Sequence, residues 1–85
     1  MKEIKYIITD DAGIHARPAG LLVKEAEKFK SEIMIAKGEK NADAKRLFSV
    51  MSLGVKKGDE VTVTINGEDE AKAISAIESF MKKTL

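Results

Sequence analysis

The sequence predicts an α+β fold of two layers, a four-stranded antiparallel sheet covered on one face by three helices. Three observations predict it. In short segments apolar and polar residues alternate, as in Val61, Val63 and Ile65 with Thr62 and Thr64 between, the pattern of strands with one buried face. In longer segments the apolar residues recur every three or four positions, the period of an amphipathic helix. The segments follow one another as βαββαβα within 85 residues, enough chain for one core and too little for two. One domain over residues 1–85 is therefore expected.

The first strand is read from Ile4 to Ile8, where Ile4, Tyr6 and Ile8 alternate, and Asp10-Asp11-Ala12-Gly13 ends it as a loop. From Pro18 to about Phe29, the spacing of Ala19, Leu22, Ala26 and Phe29 predicts the first helix. Glu32 to Ala36 form the second strand, turned at Gly38 toward a short polar third strand from Lys40 to Asp43. Leu47, Phe48, Val50, Met51 and Leu53 suit a short helix terminated by Gly54. Val61 to Ile65 is the clearest strand. A last helix, about Glu68 to Lys83, places Ala71, Ile74, Ile77 and Met81 on one stripe. Its leading acids Glu68, Asp69 and Glu70 and its trailing Lys82 and Lys83 both complement the helix dipole.

Composition removes whole classes of function. With no cysteine there is no disulfide framework, thiol nucleophile or cysteine-bound metal. The single histidine, His15, rules out a multi-histidine metal cluster. Fifteen basic residues stand against 14 acidic ones, so no face-wide basic footprint for duplex nucleic acid is expected. The apolar runs are too short to span a bilayer, and the opening Met1-Lys2-Glu3-Ile4-Lys5 leads into no signal-peptide core. A cytoplasmic protein is the expectation, and its function must rest on few residues.

Those residues lie where the first strand gives way to the first helix, in Gly13-Ile14-His15-Ala16-Arg17-Pro18-Ala19. Pro18 sits in the first helical turn, where a missing N–H costs little. Ala16 and Arg17 are poor N-cap residues, so the first N–H groups lack an obvious side-chain partner. An anion there would satisfy them and meet the positive end of the dipole. Arg17 adds donors suited to phosphate oxygens. Before any anion arrives, the same positive field disfavours imidazolium and holds His15 as neutral imidazole, the nucleophilic form. Three residues at a helix start leave two readings open, a phosphoryl-accepting histidine and an ordinary loop histidine beside a solvated arginine.

This string resembles the active-site signature of HPr, the histidine phosphocarrier of the bacterial phosphotransferase system. A second string, Lys45-Arg46-Leu47-Phe48-Ser49-Val50-Met51-Ser52-Leu53-Gly54-Val55, is similar to the family's second-helix segment and stands at the family's distance from His15 without a gap. Length, element order and the Gly67-Glu68-Asp69-Glu70-Ala71 lead-in to the last helix also fit, so the resemblance covers the whole chain. It implies an open-faced β-sandwich. It also implies that His15 takes phosphate on Nδ1 from phosphorylated enzyme I and hands it to enzyme IIA domains, for sugar uptake. In that frame Arg17 contacts the phosphate and the Ala16 backbone N–H faces it. No cofactor is implied, catalysis is shared with the partner enzymes, and a monomer is expected. Ala12 departs from the small polar residue often found at its position.

The resemblance also implies a docking surface made of Gly20, Leu21 and Lys24 from the first helix with Leu47, Phe48 and Met51 from the second. Leu, Met and Phe at helical spacing usually belong to a core. They are too many for the inner side of so short a helix, so some should be exposed. Arg46 replaces a serine that a dedicated kinase phosphorylates in many HPr proteins of Gram-positive bacteria. Ser49 and Ser52 stand at other positions and do not inherit that role. Lys45, Arg46, Lys56 and Lys57 form a basic tract without acids that could steer acidic partners. Gly20 inside a helix is read either as room for a partner backbone or as a tolerated defect. An RNA-binding platform is a poor rival, since the strands lack the aromatics on which bases stack. A regulatory paralogue of the same family is the nearer one. An autonomous enzyme would need a general base or metal site that the sequence does not offer. The free imidazole of His15 is expected to titrate below the unperturbed value of about 6.5, and its remaining nitrogen to titrate higher once phosphorylated. NMR titration of the ring protons in both forms checks this, and a free-form value above about 6.5 would contradict the helix-terminus argument.

Overall fold

The elements follow the expected order: β1 (Lys2–Ile7), α1 (Ala16–Glu27), β2 (Glu32–Lys37), β3 (Lys40–Asp43), α2 (Leu47–Met51), β4 (Glu60–Asn66) and α3 (Glu70–Thr84). The structure is a computed structural model that describes residues 1–11, 14 and 16–85, with Ala16 by its backbone alone. The strands form one sheet in the order β1-β4-β2-β3, every pair antiparallel. This is the open-faced sandwich of three helices on a four-stranded sheet.

Register follows from the alternation. Ile4, Val63, Ile35 and Ala42 stand side by side across all four strands, and all are buried. One residue along, Lys5, Thr62, Ala36 and Asn41 form a row on the opposite, open face. Slipping any strand by one residue would bring a polar row into the core. The helices close the other side. Ala19, Leu22 and Ala26 of α1 are buried, as the spacing predicts, and so is Val50 of α2, whereas Phe29, expected on the same stripe, lies beyond the end of α1 and is half-buried. α3 lies on β1 and β4 and against α1, while α2 lies against α1 and β3.

The inward stripe of α3 differs from its expected start. Ala73, Ile77 and Met81 are buried, whereas Ala71 is exposed and Ile74 is half-buried. At 3.6 residues per turn Ala71 lies roughly 120° round the helix from Ile77, too far to share its face. The acids before α3 also do more than complement its dipole. Asp69 occupies the N-cap position without capping. Its carboxylate instead reaches the turn between α1 and β2, accepting the Lys30 N–H at 2.8 Å, the Ser31 N–H at 3.0 Å and the Ser31 hydroxyl. These bonds, led by the Ser31 hydroxyl and the Lys30 N–H, lower the Asp69 pKa to about 2. Because the folded value lies below the unfolded one, the contribution is present above pH 3.8 and is lost as pH falls through about 2.

Gly67 permits this docking. A Cβ built there would lie 2.6 Å from Ser31 Cα, and Ser31 is fully buried. Backbone on one side and a bonded serine on the other leave little room to yield. Gly67→Ala is therefore expected to destabilise the fold by about 1–3 kcal/mol, the usual cost of overpacking. Urea denaturation measures it, and a parent-like midpoint would show that the close approach is not required.

Candidate functional site

The segment that leaves β1 and enters α1 is held at both ends by the turn before β4. Ile8 donates its N–H to the Asp59 carbonyl at 2.9 Å, and its own carbonyl accepts the Gly58 N–H at 2.8 Å. At the far end the Ile14 N–H donates to the Val55 carbonyl at 3.1 Å. The side chains of Ile8 and Ile14 are both buried. Between them, the Leu85 carbonyl accepts the N–H groups of Thr9 and Asp10 and the Thr9 hydroxyl. The Lys57 ammonium reaches Asp11 Oδ1 at 2.8 Å. That ion pair is exposed and contributes little energy. The backbone bonds and the two buried isoleucines are the firmer hold.

His15, with Ala12 and Gly13, lies outside the described residues, as does the side chain of Ala16. The helix starts two residues before the expected Pro18, which places Ala16 and Arg17 inside its first turn rather than at its N-cap. α1 begins at Ala16, the residue after His15, and its first turn carries no acidic residue. Arg17 is exposed in that turn, and Pro18 is buried at its third position.

On the neighbouring surface α1 presents exposed Leu21 and Lys24 and half-buried Gly20. On α2, Leu47 and Met51 are half-buried and Phe48 is 82% exposed. Among the described residues packing does not demand a glycine at position 20, since a Cβ there would meet none of them within 4 Å. Leaving Phe48 in water forgoes about 1.5–3 kcal/mol of burial, which a docked partner could recover.

The basic tract is less free than its sequence suggests. Lys45 donates to the Phe29 carbonyl at 2.7 Å, beyond the C-terminal end of α1, where a cation complements the dipole. Lys57 is engaged with Asp11. Arg46 and Lys56 are exposed, with Arg46 Nε 3.9 Å from Asp43. Arg46 stands at the N-cap of α2 and makes no side-chain cap. Asp43 does not take over, because its Oδ1 accepts the Lys45 N–H instead. The role of the turn at 54–59 in bracing the segment between β1 and α1 is not visible in the sequence. Gly54 and Gly58 mark it as a turn, but no periodicity says which loop it braces.

Comparison with known proteins decides the family. The model for the phosphorylation site of the HPr component of the phosphotransferase system matches residues 2–83. The chain belongs to the HPr family. It is 44% identical over 84 residues to the phosphocarrier protein HPr of Mycoplasma capricolum subsp. capricolum, covering 99% of this chain and 94% of that relative. A solved mycoplasma histidine-containing phosphocarrier protein superposes with a TM-score of 0.94 at 43% identity, over 98% of this chain and 94% of that one. HPr-C-His from Thermoanaerobacter tengcongensis gives 0.93 at 40% identity, over 99% and 94%. This HPr-family chain is thus a phosphocarrier of the phosphotransferase system rather than a catalytic enzyme, and sugar transport follows from that membership. Among the described residues no helix is long and apolar enough to cross a membrane.

Two apolar side chains, exposed Phe48 on α2 and buried Leu53 just beyond it, should behave oppositely in stability measurements. Phe48→Ala is expected to change unfolding free energy by no more than about 0.5 kcal/mol, while Leu53→Ala, at a buried site, should cost about 2–5 kcal/mol. Chemical denaturation of both variants checks the contrast. A large loss for Phe48→Ala would mean that the ring belongs to the core.

Proposed function

We propose that His15 is the phosphoryl acceptor, taking the group from phosphorylated enzyme I and passing it to enzyme IIA domains. The observation that carries this reading is the start of α1 at Ala16, with no acid in its first turn and Arg17 exposed beside it. With no acid in that turn, the positive end of the helix favours an anion bound to the preceding residue. In the transfer the lone pair of neutral Nδ1 attacks phosphorus, the bond from phosphorus to the donor breaks, and an N–P bond forms. Arg17 and the Ala16 N–H then take phosphate oxygens. Transfer to enzyme IIA reverses the step, with the phosphohistidine as donor.

Docking in this reading uses Gly20, Leu21 and Lys24 on α1 with Arg46, Leu47, Phe48 and Met51 around α2, and the chain acts as a cytoplasmic monomer of one domain. Apolar Phe48 and Leu21 supply area, while exposed Lys24 and Arg46 supply a sign suited to acidic partners. Arg46 has no hydroxyl, so this protein is expected to ignore the kinase that phosphorylates serine there in many relatives. Phosphorus NMR after incubation with enzyme I and phosphoenolpyruvate tests the assignment. The parent should show one phosphohistidine, His15→Ala none, and Arg46→Glu slower labelling than the parent at low salt. Labelling of His15→Ala would overturn the acceptor, and an unchanged rate for Arg46→Glu would remove Arg46 from the docking surface.

A further inference from the structure

The turn that holds both ends of the 8–14 segment is itself held by a residue that no motif singles out. Lys37 is the last residue of β2. Its ammonium lies 2.9 Å from the Gly54 carbonyl oxygen and 2.9 Å from Asp59 Oδ2, joining the two ends of the turn. Asp59 Oδ2 also accepts the Lys56 N–H at 2.8 Å, and the Asp59 N–H donates back to the Lys56 carbonyl at 3.0 Å. Both side chains of the Lys37–Asp59 pair are about one-third exposed, against 61% and 90% for Lys57 and Asp11, so solvent screens the first pair less. Between the two acceptors lies Val55, whose carbonyl receives the N–H of Ile14, the residue before His15.

We propose that Lys37 is a positioning residue for phosphoryl transfer, fixing the 54–59 turn and, through the Val55 carbonyl, the backbone that presents His15. This rests on His15 being the phosphoryl acceptor. The physical case is one of unmatched acceptors. Without the ammonium, a carbonyl just beyond α2 and a carboxylate stand within reach of one point with no shared donor between them, and the turn relaxes to let water in. A displacement of about 1 Å at a reacting group can cost about 10²-fold in rate. A loosened but still backbone-bonded turn should cost less, about three- to tenfold. Lys37 does not belong to the α1–α2 surface, so its loss acts on the transfer step rather than on docking.

Lys37→Met keeps the aliphatic stem and removes the ammonium, and Lys37→Arg restores a cation. Steady-state phosphorylation by enzyme I and phosphoenolpyruvate is measured for both beside the parent, with amide exchange at Ile14 followed by NMR. For Lys37→Met, kcat is expected to fall about three- to tenfold with KM unchanged and Ile14 to exchange faster, with Lys37→Arg recovering most of the rate. Asp59→Asn, which weakens the same contact from the other side, should lower kcat in the same direction. A parent-like kcat in Lys37→Met, or a loss confined to KM, overturns the positioning role while leaving a labelled parent to uphold the acceptor. A parent that takes no label on His15 overturns both.

Discussion

The site depends on one clasp, the backbone hydrogen bonds by which the turn at 54–59 holds Ile8 and Ile14. β1 ends on one side of this segment and α1 starts on the other, so both of its ends are tied to the same five or so residues of chain. Positive φ angles at Gly54 (64°) and Gly58 (91°) let the turn fold tightly enough to meet them. The same turn closes α2, through buried Leu53, and opens β4. The helix that carries Phe48 and the loop that leads to His15 are therefore referred to one fixed point. Under the proposed function, in which the carrier meets two kinds of partner, that shared reference matters more than the strength of any one contact.

The sheet makes the reference rigid. A buried row through Ile4, Val63, Ile35 and Ala42 spans all four strands, and the three helices close over it. A second clamp, Asp69 with Ser31 and Lys30, locks the start of α3 to the end of α1 at the opposite side of the helical layer. With the core secured in this way, the fold tolerates an exposed phenylalanine on α2. A small domain has a net stability of about 5–15 kcal/mol, so the burial forgone at Phe48 is a sizeable fraction of it.

Fold class, element order and the strand core were legible because burial on one face imposes period-two and period-3.6 patterns that survive in any single sequence. β3 is short and polar, yet the turn at Gly38 marked it. On α3 the spacing points to Ala71 where Ala73 is the buried residue, because Ala71 is apolar enough to match a spacing template and too small for its exposure to matter. His15 and Arg17 stood out through their place at a helix start and local charge, and the family resemblance gave them roles; the poor-cap argument for Ala16 and Arg17 does not carry over, since both lie inside the first turn. The restraints on their segment were not legible. They run between backbone groups at Val55, Gly58 and Asp59, which any side chain could flank, or through lysines whose partners lie far off in sequence. Lys45 and Lys57 looked like free charges for the same reason, and three-dimensional proximity to Phe29 and Asp11 engages them.

A carrier must release what it accepts, so the decisive measurement is a single turnover in the second direction. The phosphorylated protein is purified away from enzyme I and phosphoenolpyruvate, then mixed with an enzyme IIA domain while the label is followed on both chains. Quantitative movement of phosphate onto the enzyme IIA domain, with free His15 regenerated, is the predicted result. Label that stays on His15, or that leaves only as inorganic phosphate, would contradict the account.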